Sequence, residues 1–190
     1  KKNMDLFKEK IIILWDTEFT CWKGCKENGW DKERNQFREF IQIALIKVDI
    51  NTMNIINEFQ TFVKPIKNPQ LSDYCTNLTH IEQDIIDEAD TFDKVQPAML
   101  NFIGNTKCYS FGQDFKVLYE NQEINNLNNP FKDQFFDLRI MLIEEGYDVK
   151  SYCSGTLSEL FGIKSEFHTH DAVGDAKTVL IALKELKKKL

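Results

Sequence analysis

No apolar run in this sequence approaches the roughly 18 residues that a membrane span requires. The first such run, IIILW, ends at Asp16. A membrane helix is therefore excluded and a signal peptide is not expected. Cysteine is sparse and odd in number: Cys21, Cys25, Cys75, Cys108 and Cys153, with no CxxC pair. That pattern argues against a disulfide framework and reads as reduced thiols of a cytoplasmic protein. Cys21 and Cys25 have no second ligand pair at finger spacing, so a shared structural zinc is not expected. With only four prolines and eight glycines, a collagen-like or low-complexity chain is excluded. Positive charge is also short, 24 Lys and Arg against 30 Asp and Glu, for a net charge of −6. Proteins that coat long nucleic acid by neutralising phosphates normally carry the opposite sign, so that class loses weight. Enzymes built on clustered carboxylates escape the objection, because bound cations reverse the local sign.

What is present is ordinary globular material, 42% hydrophobic and 28% charged over 190 residues. This suits a single domain spanning residues 1–190. After a short charged helix or tail, IIILWDTEF is a β-branched run typical of a buried strand. The polar stretch TCWKGCKENGWDKERNQ reads as a loop near the open end of the sheet. REFIQIALIKVDI and MNIINEFQTFVKP alternate apolar and polar residues as two hairpin strands, closed by Pro65 and Pro69. From Leu78 the period turns helical, through LTHIEQDIIDEA and then TFDKVQPAMLNFIGN with Thr91 as N-cap. KCYSFG is a short strand and QDFKVLYENQEI the helix after it, followed by an Asn-rich loop, INNLNNPFKD. FFDLRIMLIEEGYDV and SGTLSELFGI are expected as helices stopped by Gly146 and Gly162. DAVGDAKTVLIALKELKKKL is a long amphipathic helix whose lysines gather where the macrodipole favours them. The pattern predicts an α/β fold on a mixed sheet.

Asp16 and Glu18 lie two apart at the end of an apolar strand, so both carboxylates leave the same face. Carboxylates held that close repel one another unless a metal or basic partners are present. Asp114 follows the strand YSFG at the start of a helix. Asp175 sits among Ala172, Gly174 and Ala176, small residues that let a helix approach a sheet closely. His170 precedes Asp175 by five residues, an offset of about 140° on a continuous helix. The two share a site only if His170 lies in the loop entering the helix, where it could deprotonate a water. Hard oxygen ligands without thiolates select Mg²⁺ or Mn²⁺. Four carboxylates suit two such ions, the standard clamp for in-line attack on a phosphodiester. His80 reads as a surface residue. The His168-Thr169-His170 pair lacks a third neutral ligand at matching spacing for zinc.

The constellation resembles the DEDDh family of 3′→5′ exonucleases, whose fold is ribonuclease H-like. WDTEFT matches its first motif and supplies Asp16 and Glu18. FGQDFKVL is similar to the second and supplies Asp114. HDAVGDA is similar to the third, with His170 and Asp175 at the family's separation. The segment FVKPIKNPQLSDYCTNLTHIEQDIIDEADTF resembles the histone-mRNA and small-RNA 3′ exonuclease branch and its bacterial relatives. Two departures stand out: His80 occupies a position where the family usually has glycine, and the loop from Trp22 to Arg38 is long and charged.

The resemblance implies a ribonuclease H-like mixed central sheet with flanking helices. It implies two Mg²⁺, with Mn²⁺ as substitute, held by Asp16, Glu18, Asp114 and Asp175, Asp16 bridging them. His170 would be the general base, and the product a nucleoside 5′-monophosphate cut from single-stranded 3′ ends, RNA before DNA. Phe19 and Thr20 would face the terminal nucleotide, Phe19 by stacking and Thr20 by reaching the 3′-hydroxyl. Leu78 and Phe111 would pack on the last base. Three other readings stay open at this point. They are a DNA proofreading exonuclease, a catalytically idle adaptor on the same fold, and a zinc module built on His168, His170 and a cysteine. The acidic balance favours a distributive trimmer with a shallow salt slope. The Lys184–Lys189 run reads as a solvated helix end.

Overall fold

The computed structural model describes residues 4–131 and 133–189. Lys132 of the Asn-rich loop, Leu190 at the chain end and the first three residues of the expected opening helix lie outside them. The described part of that opening forms a 3-10 turn, Asp5–Lys8. Five strands then make one sheet: β1 (Ile11–Phe19), β2 (Phe40–Asp49), β3 (Asn54–Phe62), β4 (Cys108–Ser110) and β5 (Phe135–Asp137). Their order across the sheet is β3-β2-β1-β4-β5. β1 pairs antiparallel with β2 and parallel with β4, which pairs parallel with β5, so the sheet is mixed as expected.

β1 is central, and every residue from Ile12 to Glu18 is buried. Its alternation sends Ile12 and Leu14 to one face and Ile13 and Trp15 to the other, and two core clusters follow from it. The first cluster receives α7 (Ala172–Lys188) through Val179, Leu180, Leu183 and Leu186. The second receives α4 (Phe92–Ile103) and α5 (Asp114–Ile124) through Val95, Met99, Val117 and Leu118. A third, smaller cluster holds the segment after β1 against α2 (Asp73–Thr79) and α3 (Gln83–Glu88), using Cys21, Cys25, Ile41, Cys75, Ile81 and Ile86. Among the described residues, no helix is long and apolar enough to cross a membrane.

Three expected elements differ. The helix expected from Leu78 is two helices: α2 starts earlier, at Asp73, with the Ser72 hydroxyl as its cap accepting the Cys75 N–H. It stops at His80, which adopts φ 58°, and α3 begins afresh at Gln83. That left-handed position explains why glycine suits it. Phe135–Asp137 is a strand rather than the start of a helix. Three residues are too few to register against a helical period, and their pairing with β4 is a long-range contact. Asp137 then caps α6 (Leu138–Glu144) by accepting the Arg139 N–H. Ser154–Phe161 winds as a 3-10 segment, and Gly146 and Gly162 end their elements at φ 92° and 77°. The loop after β1 carries a single helical turn, α1 (Cys25–Asn28), and a 3-10 turn, Lys32–Arg34.

Candidate active site

At the C-terminal end of β1, Asp16, Glu18, Asp114, His170 and Asp175 line one cavity of about 410 Å³. Different parts of the fold deliver them. Asp16 and Glu18 leave the β1 face that α7 covers, and Asp175 comes from the first turn of α7. Asp114 opens α5 on the opposite face, and the Thr17 hydroxyl, midway between the two β1 acids, donates to its Oδ1 at 2.8 Å. His170 stands in the loop before α7 at φ 64°, and Asp171 caps the helix by accepting the Gly174 N–H. His170 and Asp175 thus face the same cavity without sharing a helix face. One ligand atom from each of Glu18, His170 and Asp175 lies within 4.8 Å of the others.

Gln42 fixes α7 against the sheet. It pairs with Glu18 across the β1–β2 ladder. Its side-chain amide donates to Asp171 Oδ1 at 2.9 Å and its oxygen accepts the Ala172 N–H at 3.0 Å. The strand residue beside Glu18 therefore ties down the helix that carries Asp175. Gly155 lets the 3-10 segment pass against α7 so closely that a Cβ there would stand 2.4 Å from Asp175 Oδ1.

The carboxylates of the cluster crowd one another in a buried setting. Burial, followed by the charges of Asp114, Asp175 and Glu18, raises the Asp16 carboxyl well above its ordinary range. Glu18 is raised by burial, then by Asp175 and Asp114, with Lys26 opposing. Asp114 is raised by burial, partly offset by the Thr17 hydroxyl. Asp175 is pushed up to about 7 by burial, although its Oδ2 accepts from the Ser154 hydroxyl and the His170 backbone N–H. Its Oδ1 is buried without a partner, an arrangement that costs about 1–3 kcal/mol if left unmet. Burial, then Lys26 and His168, lowers the His170 imidazole below its ordinary value, so it is neutral and able to accept a proton near pH 7. An unpartnered carboxylate oxygen amid mutually repelling acids is the donor set a hard divalent cation fits.

The residues expected at the substrate divide. Phe19, Leu78 and Phe111 line the cavity with Trp30, Lys26, Arg139 and Ser154. Thr20 does not. Its hydroxyl is buried, donating to the Phe37 carbonyl at 2.6 Å and accepting the Glu39 N–H at 3.0 Å. The register shift at Glu18/Phe19 breaks the alternation that would have put Thr20 beside Glu18. Reaching a 3′-hydroxyl would break both bonds. His80 is exposed as expected, and its ring meets His168 edge-on at 4.3 Å. Among the described residues, the one group of three or more side chains with metal-ligand spacing is Glu18, His170 and Asp175, without His168 or a cysteine. Thr17, Gln42, Ser154 and Trp30 escaped the sequence reading. Only Thr17, set between two motif acids, carried a local signal.

The sheet order, with carboxylates at the end of its central strand and on the helices of both faces, is that of a ribonuclease H-like fold. The nuclease domain of 3′hExo, a DEDDh member solved with rAMP, superposes with a TM-score of 0.81 at 24% identity, covering 94% of this chain and 92% of that one. The Exonuclease family profile, RNase_T, matches residues 13–183, and the chain belongs to that family. The human 3′-5′ exoribonuclease 1 is 33% identical over 112 residues, 59% of this chain and 29% of that protein. The PolC-type DNA polymerase III of Caldanaerobacter subterraneus is 31% identical over 153 residues, 79% of this chain and 10% of the polymerase. The chain thus spans less than a third of the length of either relative.

Proposed function

We propose that this chain is a metal-dependent 3′→5′ exonuclease domain over residues 1–190, trimming single-stranded 3′ ends to nucleoside 5′-monophosphates. The observation that carries the reading is the convergence of Asp16, Glu18, Asp114 and Asp175 with His170 on one cavity, Asp175 Oδ1 lacking any partner. The four carboxylates of Asp16, Glu18, Asp114 and Asp175 would hold two Mg²⁺, or Mn²⁺ in its place. Bound there, the ions would neutralise the scissile phosphate and make the attacking water more acidic. His170 takes the proton from that water at its unprotonated ring nitrogen as oxygen attacks phosphorus. The bond from phosphorus to the 3′ oxygen of the penultimate nucleotide breaks and that oxygen takes a proton from solvent water, leaving a strand with a 3′-hydroxyl and a nucleoside 5′-monophosphate. Phe19 offers a face to the terminal base, and Leu78 and Phe111 pack on it.

RNA is the preferred substrate on the likeness to the human exoribonuclease. The PolC-type relative supports DNA as the second reading. A reducing, cytoplasmic setting is proposed with it, on the odd and thinly spread cysteines. Chromatography of nucleotides released from matched RNA and DNA strands tests the reading. Nucleoside 5′-monophosphates are expected, faster from RNA. Release of 3′-monophosphates, or of nothing, would overturn it.

A further inference from the structure

A second cavity, about 650 Å³, lies beside the active site and is built mainly by the long loop after β1. The two cavities share Cys25, Lys26 and Trp30. The second is lined by the aromatic rings of Trp30 and Phe37 and by Lys26, Lys32, Arg38 and Lys67, against the two carboxylates of Glu120 and Glu123. In a chain of net charge −6, this is a local surplus of cations.

Its parts form a track. The Phe19 ring, in the active-site cavity, lies 5.5 Å from the Trp30 ring, and the Arg38 guanidinium lies 5.5 Å from Trp30 on the side of the second cavity. Lys67 Nζ stands 5.9 Å from the Phe37 ring. Each member is held in place. Trp30 Nε1 donates to the Thr20 carbonyl at 2.8 Å, which fixes the indole plane. The Phe37 carbonyl accepts from the Thr20 hydroxyl, and its N–H donates to Asn68 Oδ1 at 3.2 Å. The buried Glu39 carboxylate accepts the N–H groups of Ile66, Lys67 and Asn68 at 2.7, 2.8 and 2.6 Å, clamping the backbone that carries Lys67. Arg38 is oriented by its ion pair with Glu120. Aromatic faces alternating with cations, leading away from a phosphodiester-cleaving site, are the recognition surface of a single strand.

Resting on the exonuclease reading, we propose that this cavity is a subsite for the nucleotides immediately upstream of the scissile bond in a single-stranded substrate. Bases stack on Phe37 and on the Arg38 guanidinium that covers Trp30, and Lys26, Lys32 and Lys67 meet the phosphates. The loop departure from the family pattern is then a strand-holding device that lets an acidic domain grip substrate locally.

The test uses the full chain with two substrates. The p-nitrophenyl ester of thymidine 5′-monophosphate fills the catalytic cavity alone, and an oligoadenylate of about ten nucleotides reaches beyond it. Phe37→Ala and Lys67→Gln alter side chains of the second cavity only. The expected result is a loss of kcat/KM of roughly 5- to 100-fold for Phe37→Ala on the oligonucleotide, with ester cleavage unchanged within about twofold. Lys67→Gln should also reduce the slope of log KM against log salt by about 0.7. Equal losses on both substrates, or none on the oligonucleotide, overturn the subsite. No cleavage of either substrate by the unaltered chain contradicts the exonuclease reading instead. If Phe37→Ala fails to fold by circular dichroism, Lys67→Gln, at an exposed side chain, decides the matter through its salt slope.

Discussion

At the residue scale, Asp175 concentrates the tension of the site. It is buried, unpartnered at Oδ1 and faced by other acids, so what serves cation binding opposes folding of the cation-free chain. Asp175→Asn removes the charge and keeps the shape. It should abolish most activity, by about 10³-fold or more, while raising the melting temperature of the chelator-treated protein at pH 8. A variant that is inactive and also less stable would mean that the carboxylate is structural. His170→Asn should lower kcat by about 10²- to 10⁴-fold with little change in binding. Because burial, Lys26 and His168 hold His170 below the ordinary histidine value, the unaltered enzyme should lose rate only on acidification below about pH 6.5. At saturating Mg²⁺, which favours the ionised carboxylates, that acidic limb should be weakened in the residual rate of the variant.

At the scale of elements, the site exists because α7 is brought against the end of β1. Gln42 and Gly155 do this without touching the cavity, one by two hydrogen bonds and the other by lacking a side chain. Gly155→Ala should cost about 1–3 kcal/mol of stability by overpacking, read as a lower denaturant midpoint, and should displace Asp175 enough to depress kcat. Gln42→Ala should depress kcat more than it raises KM, since it loosens a carrier of catalytic groups rather than a substrate contact. The motif acids were legible in the sequence because local strand and helix geometry places them, as the i, i+2 spacing of Asp16 and Glu18 shows. Thr17 to Asp114 and Gln42 to Asp171 were not, because those pairs are separated by 97 and 129 residues and meet only in the folded sheet. Strand β5 was hidden for the same reason: Phe135–Asp137 has a partner in β4 and no period of its own. Thr20 was misplaced because a register shift, which has no sequence signature here, interrupts the alternation.

For the whole molecule, the acidic balance and the buried acids make stability depend on pH and cations together. The folded carboxyl of Asp175 lies near 7 and those of Asp16, Glu18 and Asp114 are also raised. In the unfolded chain such groups ionise near pH 4. Groups raised on folding favour the folded state at low pH, so the cation-free protein should lose stability as pH rises from about 4 through about 7. Melting curves under chelator should therefore fall between pH 5 and pH 8, and Mg²⁺ should restore the pH 8 value by mass action. The measurement that bears most directly on the central claim is digestion of a 5′-labelled single-stranded RNA with Mg²⁺, with chelator, and with Asp16→Ala. The account predicts a ladder that shortens from the 3′ end and disappears with chelator and with the substitution. An undigested strand with metal bound, or a ladder that survives the loss of Asp16, would contradict it.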